Sequence, residues 1–302
     1  MKSLEHATGL LAFVRAVEAG SFSAAARMAG STPSAVSKSV ERLERQLGIK
    51  MFRRSTRSLS LTADGAAYYE RIAPLLQALE DADEVLGDAG SARGRLRISL
   101  PGILGPILVD ALTRDFVSRY PEIALEISIT DRHVDLVREG FDVALRVGEV
   151  AAVDWIARSL GKLSLILVAS PAYLERAKAP NSVDNLAEYA HIRYLLGSRA
   201  SAIVFADGSR LETTSALDTD SGQAMRIAAL NGIGIAQLLR AAVAEDLATG
   251  RLVEVLPTFP LAAVPVQTLH AFGRFPPFRV RLFNDFIASA LEPHTTKDRL
   301  SR

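Results

Sequence analysis

The chain contains no cysteine, which excludes disulfides, thiol-based redox sensing and the soft thiolate ligands of many metal sensors. Histidine is scarce: His6, His133, His191, His270 and His294 are the full set, and no two stand at the spacing of a helical metal-ligand pair. Neither a GxSxG elbow nor a Walker phosphate loop occurs, so acyl transfer and P-loop chemistry lack their usual starting points. Gly232-Ile233-Gly234 is followed by Gln237 where a dinucleotide fingerprint needs glycine or alanine, and a tight helix-to-strand turn accounts for it. The expectation is a protein that is not an enzyme and carries no metal and no cofactor. No segment approaches the roughly 20 apolar residues of a membrane span, and residues 1–20 hold no apolar stretch of signal-peptide kind. A cytoplasmic location with no membrane partner is therefore expected.

The 302 residues exceed one typical domain, and a hydrophobic content of 49% can fill sizeable cores. The net charge of +1 hides a polar distribution. Residues 1–60 hold ten Lys and Arg against four Asp and Glu, whereas residues 61–90 hold Arg71 alone against seven carboxylates. Only the first segment has the charge to meet nucleic acid.

That segment also carries a motif. Leu10, Phe13, Val14 and Val17 have the one-sided spacing of an amphipathic helix that stops at Gly20. A short helix over Ala24 to Met28 is broken by Gly30, and Thr32-Pro33 restarts a third, with a hydroxyl at the N-cap and proline at the first helical position. Val36, Val40, Leu43 and Leu47 give this third helix a buried stripe, leaving Ser34, Ser37, Lys38, Glu41, Arg42 and Arg45 outward, the layout of a helix that enters the major groove. After Gly48 the segment MFRRSTRSLSL reads as a small β-wing whose Arg53, Arg54 and Arg57 lie on phosphates or in the minor groove. Its alternative is a solvated charged loop.

From Leu10 to Gly65 the chain resembles, without a gap, the DNA-binding domain of LysR-type transcriptional regulators. The likeness is carried by Phe13, Gly20-Ser21-Phe22, Ala25-Ala26, Ser37, Leu43-Glu44, Leu47-Gly48, Phe52, Arg54, Arg57 and Leu61-Thr62. Ala29, Gly30 and Ser31 depart from it by packing the turn less fully, and Pro33 stands where the family often has glutamine. With that side chain absent, Ser34, Ser37 and Lys38 become the expected base readers. The full DNA-contacting set implied is Ser21, Thr32, Ser34, Ala35, Ser37, Lys38, Arg42, Arg53, Arg54 and Arg57.

The resemblance implies a multidomain fold: an all-α winged helix-turn-helix domain (1–61), a long linker helix (62–90), and a two-lobed α/β effector domain like a periplasmic binding protein (91–302). In the linker, Tyr68, Ile72, Leu75, Leu79, Ala82 and Leu86 recur at heptad-like spacing. The family role is pairing of two protomers, with Ile72, Leu75, Leu79 and Leu86 as the dimerisation residues; packing on its own domain and an acid/base carboxylate pair are the alternatives. Pro74 predicts a bend.

From Arg93 onward strands and helices alternate, which predicts mostly parallel sheets covered by helices. The expected order is the strand RLRISLP, a helix over Ile107 to Tyr120, then strands IALEISIT, FDVALRVG and LSLILVAS. A helix from Gly222 to Leu230 follows, then the strand GIGIA, a helix from Leu238 to Leu247, strands RLVEVL and VQTLHAF, and a last helix from Phe278 to Leu291. By family likeness lobe one is 91–162 plus 267–302 and lobe two is 163–266. Ligands of open α/β sheets bind beyond the carboxyl ends of strands. The candidate effector residues are Ser99, Pro101, Thr130, Arg146, Thr219 and Asp220, and the expected ligand is a small organic molecule, an anion where Arg146 supplies the charge. Loop capping is the alternative for Ser99 and Thr130, and a structural ion pair for Arg146; if Arg146 is instead a ligand residue, its removal should leave stability nearly intact. His133 stays unassigned. The function implied is a regulator binding an inverted repeat of double-stranded DNA as a dimer or tetramer, with RNA polymerase as a further partner. An α/β domain serving only oligomerisation is the runner-up, and a solute-binding protein with an added domain a distant third.

Overall fold

The computed structural model describes residues 2–53, 59–84, 92–150, 155–273 and 276–296, with the side chains of 2–5, 74 and 77–84 excepted. The chain divides into two compact units, Met1–Asp88 and Ala89–Arg302.

In the first unit α1 (Lys2–Glu18), α2 (Phe22–Met28) and α3 (Pro33–Leu47) pack around Phe13, Val14, Val40, Leu43 and Met51. The wing is a two-stranded antiparallel ribbon of β1 (Phe52–Arg53) and β2 (Ser60–Leu61). Phe52 fixes it to the helices by edge-to-face contacts with Phe13 at 5.5 Å and Phe22 at 5.3 Å, each contributing about 0.5–1.5 kcal/mol beyond burial. Arg54 and Arg57 lie outside the described residues.

Helix α4 (Ala63–Glu84) runs through Pro74 without interruption. Its first half packs on its own domain through Tyr68, Tyr69, Ile72, Ala73 and Leu76. Ile72 thus belongs to the core of its own unit, as the alternative reading of the seam has it. Leu75 faces outward with 61% of its surface exposed. The side chain of Leu79 and the whole of Leu86 lie outside the described residues.

The second unit passes through one sheet, builds another, and returns. The outbound path is β3 (Gly94–Leu100), a helical run containing α5 (Gly105–Ala111) and α6 (Val117–Arg119), β4 (Ile123–Ile129), α7 (Leu136–Glu139), β5 (Val143–Val147) and β6 (Ile156–Leu163). The second lobe holds β7 (Leu165–Ala169), α8 (Pro171–Ala177), β8 (His191–Leu196), the short β9 (Arg199–Ala200), β10 (Ile203–Val204) and β11 (Arg210–Leu211), then β12 (Ser215–Thr219), α9 (Gly222–Leu230), β13 (Ile235–Leu239), α10 (Ala244–Ala248) and β14 (Val253–Val255). The return is β15 (Val264–His270), α11 (Phe278–Leu291) and β16 (Thr295–Thr296). The sheet orders are β16-β6-β15-β5-β3-β4 and β12-β8-β13-β7-β14.

Both sheets are mixed, which corrects the expectation of mostly parallel ones. β3 pairs in parallel with β4 and β5, and β8 with β12 and β13, but β15 is antiparallel to β5 and β6, and β7 to β13 and β14. The parallel pairs come from crossover units, while the strand that enters each lobe from the other, β7 in one and β15 in the other, runs against them. The expected lobe boundaries at 162/163 and 266/267 fall inside β6 and β15, since Val264 already pairs with Leu163. Leu238 and Leu239, read as helix, belong to β13, a central strand buried on both faces, so its residues show no apolar-polar alternation. The strand read at GIGIA starts only at Ile235. Strands β6, β8 and β12 escaped the sequence reading.

Candidate functional sites

Helices α2 and α3 are fixed by their caps. Ser21 Oγ accepts from the Ala24 amide at 3.1 Å, and Thr32 Oγ1 from the Ala35 amide at 3.2 Å, so both hydroxyl oxygens serve the starts of α2 and α3. Pro33 occupies the first turn of α3, and Ser34, Ala35, Lys38, Arg42 and Arg45 are exposed. Ser37 is half-buried, its hydroxyl 3.5 Å from Glu41 Oε1. Arg53 is exposed on β1.

A residue whose role sequence reasoning missed joins helix to wing. Glu44 is 7% exposed, and its carboxylate accepts from Lys50 Nζ at 2.6 Å, the Met51 amide at 2.8 Å and the Phe52 amide at 3.4 Å. Burial alone would push this carboxyl up, but the bonds from Lys50, Met51 and Phe52 outweigh it and hold it below its ordinary value. A lowered folded-state value means the stabilisation is present above the unfolded carboxyl range and is lost as pH falls through the folded value. Glu44→Gln should therefore lower the melting temperature of the first unit at neutral pH, with the gap from wild type closing as the solution is acidified below about pH 4. A gap constant from pH 7 to pH 3 in calorimetric scans would assign the loss to packing.

In the second unit the strand ends converge. Ser99 is fully buried at the end of β3 and Arg146 is 6% exposed near the end of β5. Arg146 Nη2 donates to Ser99 Oγ at 2.9 Å and to the Arg132 carbonyl at 3.2 Å; Nη1 donates to the Leu145 carbonyl at 2.7 Å and the Ser99 carbonyl at 3.4 Å. Among the described residues no carboxylate forms an ion pair with it. Burial pushes the Arg146 guanidinium down, Asp131 pulls it back up, and Arg132 opposes it. Pro101 is buried at the turn that follows β3, where the Gly102 amide donates to Asp131 Oδ1 at 2.7 Å. Thr130 is half-buried, and its hydroxyl accepts from the Arg132 amide at 3.4 Å.

The second lobe faces the same space. Thr219 pairs in register with Tyr194, and its hydroxyl accepts from the Ser221 amide at 3.2 Å, with Asp220 exposed beside it. Burial and the charges of Asp131 and Asp220 push the Tyr194 phenol up to about 12, so it stays neutral at any physiological pH. Tyr194 therefore senses carboxylates of both lobes, and it was missed because β8 itself was missed. Close approach of the lobes depends on Gly222, where a Cβ would stand 2.9 Å from Ile103 Cβ. His133 is exposed and takes no evident part.

Residues 8–66 match the family described as bacterial regulatory helix-turn-helix protein, lysR family, and residues 89–292 match the LysR substrate binding domain. The chain is 35% identical over 289 residues to the uncharacterized HTH-type transcriptional regulator YhjC of Escherichia coli (strain K12), covering 93% of this chain and 96% of that protein. It is 33% identical over 288 residues to the HTH-type transcriptional regulator CrgA of Neisseria meningitidis serogroup C (strain 8013), at 93% and 96% coverage. The solved structure of CrgA, a LysR-type transcriptional regulator from Neisseria meningitidis, superposes with a TM-score of 0.62 at 30% identity, covering 94% of this chain and 98% of that one. The full-length Vibrio cholerae virulence activator AphB gives 0.56 at 27% identity, with 93% and 98% covered. A reading helix with its wing, a linker helix and a two-lobed domain thus meet in one chain whose likeness to these regulators spans nearly its full length, and the chain belongs to the LysR family of transcriptional regulators.

Proposed function

We propose that this regulator binds an inverted-repeat operator as a dimer or tetramer, in the cytoplasm, and that a small organic effector in the interlobe cleft modulates it. It acts by binding, not catalysis, with no resident metal or cofactor, and RNA polymerase is its partner at the promoter. The observation that supports the effector reading most is the convergence on one space of Ser99, Thr130 and Arg146 from one lobe with Tyr194, Thr219 and Asp220 from the other. An effector that binds there would bias the angle between lobes, and the coupling is allosteric if effector and DNA affinities shift each other reciprocally. Titrating candidate effectors by calorimetry, with and without operator, tests this; equal effector affinity in both would remove the coupling.

The dimer reading rests on Leu75, whose exposed side chain lies on the outward side of α4. A carboxylate in an apolar helix seam stays costly unless it is paired. Leu75→Glu should lower the mass measured by light scattering and bring affinity for the full palindrome toward that for a half-site. A mutant that stays oligomeric and binds the palindrome normally would place the interface elsewhere.

A further inference from the structure

The arginines at the interlobe cleft are already engaged by the protein, and two carboxylates there are not. The Arg146 guanidinium makes four hydrogen bonds to the Ser99, Leu145 and Arg132 acceptors, which leaves it no free fork for an anion. Arg132 forks onto Glu139, with Nη1 at 2.8 Å from Oε1 and Nη2 on Oε2. On the other lobe Arg193 forks onto Asp218 through Nε and Nη2, each at 2.8 Å.

The two carboxylates stand one on each lobe. Half-buried Asp131 accepts from the Gly102 amide through Oδ1, and its Oδ2 has no bond among the described residues. Asp220 is exposed and has no hydrogen-bond or ion-pair partner among the described residues. They flank a meeting point of the lobes: Asp131 holds Gly102, the next residue Ile103 lies against Gly222, and Asp220 stands two positions before Gly222. The Tyr194 phenol lies in the field of both, since burial, Asp131 and Asp220 push it up while Arg146 pulls it down. Approach of the lobes by itself brings like charges together, and a cation between them removes the repulsion.

We propose that the effector of this cleft carries an ammonium group, held between Asp131 and Asp220 at the junction of the two lobes. The inference rests on the cleft being the effector site and adds the charge of the ligand, opposite to the one expected from Arg146. An ammonium has three donors, enough for a carboxylate from each lobe and one neighbouring hydroxyl. Because it needs both carboxylates, it binds the approached lobes more tightly than separated ones, and such a difference in affinity is what lets a ligand shift a conformational equilibrium.

The test dialyses the full-length protein to equilibrium against a small-molecule extract of bacterial cells, and mass spectrometry identifies what the protein concentrates. Wild type should concentrate a compound that bears an ammonium group. Asp131→Asn keeps an acceptor for the Gly102 amide and Asp220→Asn keeps the side chain's size; each should lower retention about tenfold or more, the effect of one charge-assisted hydrogen bond. Asp220 also stands at the start of α9, where a carboxylate is favourable in itself. A loss of fold in Asp220→Asn would show as a lower melting temperature of the second unit, and Asp131→Asn then carries the test. Asp220→Glu should restore most of the retention. Glu175→Gln, which removes an exposed carboxylate from α8, should leave it unchanged. A retained compound that is only anionic or uncharged overturns the proposal, as does an ammonium compound held equally by wild type and both Asn variants. Retention of nothing beyond the protein-free compartment removes the effector reading as a whole and this inference with it, a failure distinct from a wrong charge.

Discussion

Gly65→Ala should abolish operator binding and sharply lower the melting temperature of the first unit while leaving the second unit's transition in place. A Cβ at position 65 would stand 2.1 Å from the Met51 carbonyl oxygen and 2.9 Å from both the Met51 carbonyl carbon and Cα. All three are backbone atoms, so no side chain can rotate aside. Nor is the backbone free to retreat. Thr62 N donates to the Met51 carbonyl at 2.9 Å, Gly65 N donates to Thr62 Oγ1 at 2.9 Å, and the Met51 amide is held by Glu44. The start of α4 is thereby fastened to the entry of the wing, with the Met51 side chain fully buried beneath. Overpacking in a side-chain core costs about 1–3 kcal/mol, occasionally more, and a backbone clash this short belongs at or above the top of that range. Against a stability of about 5–15 kcal/mol for a typical domain, the first unit should lose much of its margin. Differential scanning calorimetry with a gel-shift assay checks it, and a variant with both wild-type melting and wild-type affinity would show that α4 and the wing can separate at no cost.

Arg146→Met should destabilise the second unit by about 3–5 kcal/mol, because removing the guanidinium strands buried acceptors that each cost about 1–3 kcal/mol when unpaired. Its four bonds join Ser99 at the end of β3, Leu145 in β5 and Arg132 beyond β4. The sequence-based expectation of nearly intact stability treats Arg146 as a ligand residue alone, whereas most of its donors are already engaged by the scaffold. Arg146→Lys should recover only part of the loss, since one ammonium cannot span the positions of a planar fork. Urea denaturation of the three proteins measures the order. Equal midpoints would mean that water replaces the guanidinium and that its charge alone matters to the site.

Much of the DNA-binding unit is legible in the sequence because its signals are local. The Thr32-Pro33 start, the Val36, Val40, Leu43 stripe and the break at Gly30 act within a few residues, and the structure has α3 at Pro33–Leu47 with Thr32 as its cap. The last helix, Phe278–Leu291, is legible for the same reason. Strands were harder to read. β6 and β12 are largely exposed, so they lack an apolar alternation, while β13 is buried on both faces and its two apolar pairs around Gln237 fit a helix as well as a strand.

What the sequence determines by itself is the division of labour: a basic motif for DNA, an acidic amphipathic helix after it, and an α/β remainder. The strands that carry Ser99 and Arg146 near their ends, and the one that Thr130 follows, were also readable. What those side chains do was decided only by the tertiary structure. Whether Arg146 meets a carboxylate or four neutral acceptors depends on the register of β3 beside β5. Whether Glu44 is a solvated charge or the clasp of the wing depends on where the chain turns after Gly48. Whether Ile72 faces a partner or its own core depends on how α4 lies on α1. Each is a contact between residues distant in sequence or between separate elements, and no local periodicity encodes it.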